Sequence, residues 1–266
     1  MNQLTCFVGA LLMCISHIVI SQAPIDDIVS RRMIKERTML KYPPIREADI
    51  FWEKRISRVI DVKQKQNLPF MYPAAPFFNL LRQGAENGDI TLYRDAKFSE
   101  AIDEMEGIFY QIDTITLFDP ELFIENIEVV RNDIGYEQVQ KFRLNEIWYF
   151  DEATSTMRVQ IIGIAPIKVR TDQDGLALYE QPLFWIHFPS ARTYLSRQKV
   201  ANDFNDAAQV TWDDLFQMRL FASHITKKSN VRDNRLQDMY QGLTLLQEAE
   251  KVKQELQNFE HDLWSY

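Results

Sequence analysis

The chain contains almost no cysteine. Its 266 residues include two, Cys6 and Cys14, and both lie in an apolar stretch near the N-terminus. If that stretch is removed on export, the mature chain has no disulfide, no thiolate metal site and no cysteine nucleophile. A fold without disulfides depends on its hydrophobic core, and 46% hydrophobic and 12% aromatic residues are typical of a globular protein.

Glycine is also scarce, and the motifs that carry common enzyme chemistry are missing. None of the eight glycines forms a G-x-G pattern or a P-loop, which argues against nucleotide binding. The sequence has no G-x-S-x-G motif for a serine hydrolase. Paired acids such as Asp213-Asp214 are adjacent, so they do not converge on one bond as glycosidase carboxylates must.

Histidine offers no metal site either. His187, His224 and His261 lack a ligand spacing such as H-E-x-x-H. His187 lies in an apolar segment beside Trp185, where a packed histidine is the simpler interpretation and a general base is the alternative. Residues 172–175 resemble the start of a calcium loop but lack the later ligands, which indicates a turn. We therefore predict no catalytic, cofactor-binding or metal-ligating residue.

Charge is absent from residues 6–20, a run with the length of a signal-peptide hydrophobic region and too short for a transmembrane helix. Val19 and Ser21 suit the positions before a cleavage site, so residues 1–21 are predicted to be a signal peptide. An uncleaved anchor and a buried N-terminal helix are the alternatives. No later segment reaches the roughly 18 apolar residues that span a membrane.

The net charge of −8 is unevenly distributed, with +6 over residues 31–65 and −12 over residues 66–266. This favours a basic arm with a first helix (22–65) before an acidic α+β body (66–266), and an arm that docks on acidic protein surface. A solvated helix face is the alternative, and nucleic acid is a poor partner for an exported, acidic chain. The predicted partner interface consists of Arg31, Arg32, Lys35, Arg37, Tyr42, Arg46, Trp52, Arg55 and Arg58.

The sequence of the arm and of the first half of the body predicts several short elements. The arm over 22–45 is predicted to be extended or loosely helical, and it ends at two prolines. Apolar residues spaced three to four apart over 45–62 predict an amphipathic helix. Further elements are predicted as a helix over 77–83, a strand over 89–94, a helix over 99–106 with Ser99 as N-cap, and a strand over 108–118, whereas 120–130 fits either type.

A hairpin and helices are predicted in the second half. Alternating apolar residues over 142–150 and a returning strand over 158–164 predict the hairpin, with Ile161 and Ile164 on opposite faces. A strand over 183–188 follows, then a helix over 212–223 with a Thr211–Asp214 capping box and a long amphipathic stripe from Leu236 to Leu263. The predicted fold class is α+β, a single compact domain with antiparallel hairpins and a helical C-terminal third, preceded by the extended basic arm.

Three tryptophans raise a question of function. Trp148, Trp185 and Trp212 could line a groove for a glycan or a peptide, although core packing is the simpler interpretation.

Three stretches of the sequence resemble one known family. The first is Tyr42-Pro43-Pro44 through Tyr72-Pro73. The second is Trp148-Tyr149-Phe150-Asp151 with Arg158 to Pro166, then Leu183-Phe184-Trp185-Ile186 with Pro189 and Ala191-Arg192, and the third is Asn205-Asp206-Ala207 through Phe259 to Trp264. Their order and spacing resemble the GldN/PorN family of gliding-motility and type IX secretion proteins of Bacteroidetes, over nearly all of the mature chain. Ser57 departs from the family, which usually has a tryptophan before Arg58, and this leaves a divergent paralogue such as GldO open.

The resemblance implies a structural role and no catalytic residue. Family members are periplasmic, form a ring beneath the outer membrane with a GldK/PorK lipoprotein, and meet the periplasmic part of the GldM/PorM motor. The uneven charge adds an expectation of arm exchange, in which residues 24–65 of one subunit lie on the next and close a ring. A periplasmic glycan- or peptide-binding module is the alternative function.

Overall fold

The computed structural model describes residues 33–105, 108–119, 124–171, 177–202, 205 and 207–263. The predicted signal peptide, Arg31 and Arg32 of the arm, and the turn predicted at 172–175 lie outside the described residues. Within the described part of the chain, no helix is both long and apolar enough to cross a membrane.

An antiparallel sheet organises the body. Its strands are β1 (Ile50–Asp61), β2 (Leu92–Tyr93), β5 (Val139–Asp151), β6 (Thr156–Thr171), β7 (Ala177–Pro182), β8 (Trp185–His187) and β9 (His224–Lys228). They pair in the order β2-β8-β6-β5-β1-β9, and β7 also pairs with the long β6. A separate hairpin joins β3 (Tyr110–Asp119) to β4 (Ile124–Asp133).

Helices follow the strands and concentrate towards the C-terminus. They are α1 (Phe77–Glu86), α2 (Phe188–Leu195), α3 (Trp212–Gln217), α4 (Leu236–Met239) and α5 (Gly242–Leu263), with short 3-10 helices at Glu47–Asp49, Lys65–Met71 and Tyr136–Gln138. The α+β fold class, the single domain and the predicted hairpin of β5 and β6 are confirmed.

The main core packs against one face of the sheet and is rich in aromatic rings. Phe77 of α1 lies with its ring centroid 4.2 Å from that of Trp212 in α3, and both contact Phe70 and Phe216. Phe142 of β5 closes the cluster from the sheet side. Burying such a side chain stabilises the fold by about 1.5–3 kcal/mol, so this cluster fixes where α1 and α3 sit on the sheet.

A smaller apolar cluster covers the other end of the same face. Ile56 of β1 and Ile225 of β9 pack there against Val252 and Leu256 of α5, with Leu236 of α4 beside them. The aromatic rings of Trp52 in β1 and Phe259 in α5 stack beside this cluster at 4.7 Å between centroids.

The predicted helix over 45–62 is wrong, because residues 50–61 form the strand β1. This strand is central, paired with β5 on one side and β9 on the other. Consecutive residues Arg58, Val59 and Ile60 are all buried, so the two-residue alternation of a strand disappears in the sequence. Short apolar runs of this kind do not distinguish a buried strand from a helix by periodicity.

The helix predicted over 99–106 is also wrong in its described residues. Ile102 donates its backbone N–H to the carbonyl oxygen of Leu92, at 2.9 Å, and thereby extends the pairing of β2. Ser99 does not cap a helix, because its backbone N–H and its hydroxyl both donate to the Asp95 carboxylate, at 2.9 and 2.8 Å.

A β-bulge in β6 changes which side chains of this strand share a face of the sheet, and the prediction for them was wrong. Asn145 pairs with Gly163 whereas Glu146 pairs with Ile161, so Ile162 is an extra residue in the ladder. Ile161 and Ile164, predicted on opposite faces, therefore both lie in the main core. A bulge shifts the side-chain alternation by one residue. Because the bulged residue is an isoleucine and not a glycine, the sequence gives no sign of the bulge.

The C-terminal helices differ in extent from the prediction. The capping box of Thr211 and Asp214 is confirmed, but α3 ends at Gln217. Arg219 has a φ of 56°, a value outside the α-helical range, so the helix cannot continue to 223. The predicted stripe from Leu236 divides into α4 and α5, and it leaves Leu243 and Leu246 exposed.

Candidate functional site: the arm-docking surface

The described part of the arm lies on α2 and α3 of its own body. Arg37 donates hydrogen bonds to both carboxylate oxygens of Asp214, at 2.6 and 2.7 Å, and to the Gln209 carbonyl oxygen, at 3.2 Å. A bidentate arginine–carboxylate pair of this kind is geometrically specific. We call Arg192, Gln209, Asp214 and Gln217 together the arm-docking surface.

Tyr42 makes the second contact of the arm. Gln217 donates from Nε2 to the Tyr42 hydroxyl, at 2.8 Å, and the Arg192 guanidinium carbon lies 4.2 Å from the tyrosine ring centroid. Burial raises the pKa of Tyr42 above its usual value, so the hydroxyl stays neutral. The ring therefore sits between a cation that attracts its face and an amide that fixes its hydroxyl.

Local sequence explains why the surface is rigid. Asp214 is the third residue of α3 and also caps the helix, because its Oδ2 accepts hydrogen bonds from the backbone N–H and the hydroxyl of Thr211. Next to it, Asp213 accepts two hydrogen bonds from Arg192, at 2.8 and 3.1 Å, in a buried pair. The adjacent carboxylates thus serve different partners, which holds Arg192 and Asp214 in fixed positions.

Weaker contacts and two further cations complete the arm. The sulfur atoms of Met33 and Met39 accept hydrogen bonds from Gln209 and Thr193, at 3.4 and 3.6 Å. Lys35 is exposed, and Arg46 pairs locally with Asp49, at 3.0 Å.

The other predicted interface residues lie in the body. Trp52 stacks on Phe259, and Arg55 is exposed on β1 with Glu53 as its ion-pair partner at 3.7 Å. Arg58 is buried between the two apolar clusters. Of the nine residues, the structure brings Arg37 and Tyr42 together on one surface, buries Arg58 and leaves Trp52 partly buried.

Arg58 belongs to a buried charge cluster that sequence reasoning missed. Its Nε donates to Glu146, at 3.0 Å, and Arg219 lies 2.9 Å from the other Glu146 oxygen. The indole N–H of Trp148 also donates to Glu146, at 2.9 Å. Burial lowers the pKa of Arg58, and the Glu146 carboxylate opposes that shift. This cluster has the geometry of a structural element that fixes strand register.

The three tryptophans do not share a groove. Trp212 is in the main core, Trp148 packs beside the small cluster, and Trp185 lies on β8. His187 contacts Ser190 and the Phe98 ring, and burial lowers its pKa. Over the described residues, no group of three histidine, cysteine, aspartate or glutamate side chains is arranged to hold a metal.

Sequence signals explain part of the arm-docking surface. The Thr211–Asp214 spacing revealed the cap, and the positive charge of the arm suggested an acidic receptor. Arg192 appears in the sequence analysis only among the residues of the family resemblance, and Gln217 carries no sequence signal, because the role of both depends on how α2 and α3 meet above the sheet.

Fold and surface together describe an α+β protein whose body receives its own basic arm. The family model of the gliding motility associated protein GldN matches residues 45–265, and the chain belongs to that family. No curated protein matches the chain. The described arm residues that dock on the body, 33–42, precede the matched stretch.

Proposed function

We propose that this GldN-family chain is a non-enzymatic ring subunit of the gliding and type IX secretion machinery in the periplasm. The observation that carries the proposal is the family match over residues 45–265. The lack of nucleophile, nucleotide and metal motifs in the sequence is in keeping with it.

The proposed partners are those that the family resemblance implies. A GldK/PorK-like lipoprotein attaches the ring to the inner face of the outer membrane, and a GldM/PorM-like motor region contacts it from the inner membrane. Neighbouring copies of the chain complete the ring.

The arm supplies a mechanism for contacts between copies. The surface that holds Arg37 and Tyr42 in one chain is equally able to receive them from a neighbour, as in domain swapping. The exchanging segment ends before Ile50, because β1 is a central strand that pairs on both sides. The exchanged arm is thus shorter than the 24–65 predicted from charge.

Native membranes extracted in mild detergent test the proposal. The chain should elute from a sizing column as a very large complex together with an outer-membrane lipoprotein. Elution as a free monomer would contradict the ring role.

Variants then test arm exchange. Deleting residues 24–45 should dissolve the large complexes while the circular dichroism of the body is unchanged. Arg37→Glu should have the same effect, whereas Lys35→Glu, with an identical charge change at an exposed position, should leave assembly intact. Intact complexes from both the deletion and Arg37→Glu would exclude a role of the arm in assembly.

A further inference from the structure

We propose that a groove on the sheet face opposite the main core binds an acidic, extended peptide segment of a protein partner. Two adjoining hollows of about 460 and 260 Å³ form this groove and share Ser57, Ala96, Asn145 and Lys227. Ser57 of β1 donates to the Asn145 side chain of β5, at 2.8 Å, and this polar pair makes the floor. We call it the back groove.

Cations line the back groove along its whole length. Arg143 and Arg235 flank the smaller hollow, Arg55 and Lys97 flank the larger, and Lys227 borders both. Lys227 pairs with Asp233, at 2.6 Å. Asp233 also lines the larger hollow, and its charge interacts with Lys97 as well as Lys227. Within the described residues, Arg143, Arg235 and Lys97 have no carboxylate within ion-pair distance, so the cations lining the groove outnumber its unpaired acids.

Two of these cations repel each other. Burial lowers the pKa of Arg143, and the nearby charge of Arg235 lowers it further, against a smaller opposite effect of Glu180. Like charges held together disfavour their own ionised forms, and an anion placed between them would relieve this cost. The smaller hollow is therefore suited to a carboxylate.

The larger hollow adds an apolar wall. Phe98, Ile147 and Ile162 line it, and Ile162 is the bulged residue of β6. Phe98 is held at a φ of 59°, with its ring over Gly163, where a Cβ would lie 2.7 Å from the ring. A strained residue persists where its surroundings fix it, so this wall is a constructed feature of the fold.

The cations and the apolar wall of the back groove together indicate the chemistry of the partner. A small anion would satisfy Arg143 and Arg235 but leave the apolar wall of the larger hollow exposed. An extended peptide places successive side chains at regular spacing along such a groove. Acidic side chains would meet the cations and an apolar side chain would meet Phe98. The back groove is separate from the arm-docking surface, so peptide binding there can be tested independently of ring formation.

Fluorescence anisotropy with the full mature chain tests the inference. The probe is a labelled peptide of alternating glutamate and leucine, and the comparison peptide has glutamine in place of glutamate. The glutamate peptide should bind at least about tenfold more tightly, and added salt should weaken it because exposed charge contacts are screened. Equal binding of both peptides would overturn the proposal.

Variants locate the binding. The pair Arg143→Gln and Arg235→Gln should weaken the glutamate peptide by about tenfold or more. The matched pair Lys251→Gln and Lys253→Gln, on the exposed face of α5, should not. Lys97→Gln, on an exposed loop that does not threaten folding, should weaken binding severalfold by itself. Unchanged binding in the arginine pair and in Lys97→Gln would overturn the proposal, whatever the sizing column shows about assembly.

Discussion

Two arginine–carboxylate contacts in this protein share their chemistry and differ in burial. The side chains of Arg58 and Glu146 are 9% and 0% exposed, whereas those of Arg37 and Asp214 are 35% and 20% exposed. The first contact lies between two strands of the sheet, and the second joins a peripheral arm to a short helix.

This difference separates a fixed contact from an exchangeable one. Opening the Arg58–Glu146 pair would leave charges in an apolar interior, which is costly. Opening the Arg37–Asp214 pair returns both groups to water, where an exposed ion pair is worth about 0–1 kcal/mol. The buried cluster therefore specifies the register of β1 and β5, and the arm contact is free to be made and broken.

The largest effect is expected for Glu146→Gln. This change leaves Arg58 buried without its counterion and should lower the free energy of unfolding by about 3–5 kcal/mol. Urea denaturation monitored by tryptophan fluorescence measures it. Glu53→Gln, which removes an exposed acid from the neighbouring strand β1, is the matched control and should change stability little.

A smaller effect is expected for Thr211→Ala, which removes the cap of α3 but keeps Asp214. Loss of a helix N-cap costs about 0.5–2 kcal/mol. The same change frees the carboxylate that receives Arg37, so the arm should become more susceptible to a protease. Thermal unfolding and limited proteolysis measure the two effects, and Thr91→Ala, at an exposed position outside any helix, is the control.

A still smaller change in stability is expected for Arg37→Gln. Since the pair is partly exposed, the free energy of unfolding should fall by less than about 1 kcal/mol, yet cleavage of the arm should accelerate clearly. A loss of stability as large as that of Glu146→Gln would show that the two contacts do not differ as we describe.

The smallest effect concerns pH and His187, a titrating side chain with no ion-pair partner in the described structure. Its folded pKa lies below its ordinary value because of burial, so the unfolded chain binds more protons between the two values. The contribution of His187 is complete above about pH 6.5 and is lost as the pH falls towards the folded pKa. Stability measured across this range should depend less on pH in His187→Gln than in the parent.

Local signals in the sequence predicted much of the fold. The β5–β6 hairpin followed from alternation, and the start of α3 followed from Thr211 and Asp214, because both depend on neighbours along the chain. Strand β1 was mistaken for a helix because a central strand buries both faces, as Val59 and Ile60 show. The bulge at Ile162 arises from pairing with β5, and no single-strand pattern contains that information.

The candidate site was predictable to a similar degree. The basic arm was visible as charge, and Arg37 and Tyr42 were among the residues it suggested. Their receptor was hidden, because Arg192 and Gln217 come together only through the packing of α2 and α3 over Phe77 and Phe216. Arg58 looked like part of the basic arm, and its buried position depends on the pairing of Ile56 with Glu146.

The short connection between Tyr42 and the start of β1 sets a concentration scale for assembly. An arm tethered this closely meets its own receptor at an effective concentration of about millimolar. The arm of a neighbouring subunit competes for the same receptor only when the subunit concentration approaches this value. In dilute solution each subunit therefore binds its own arm. If the proposed lipoprotein partner confines the subunits at a membrane, the local concentration of neighbours would rise towards the same range, and arm exchange would be favoured there and suppressed in free solution.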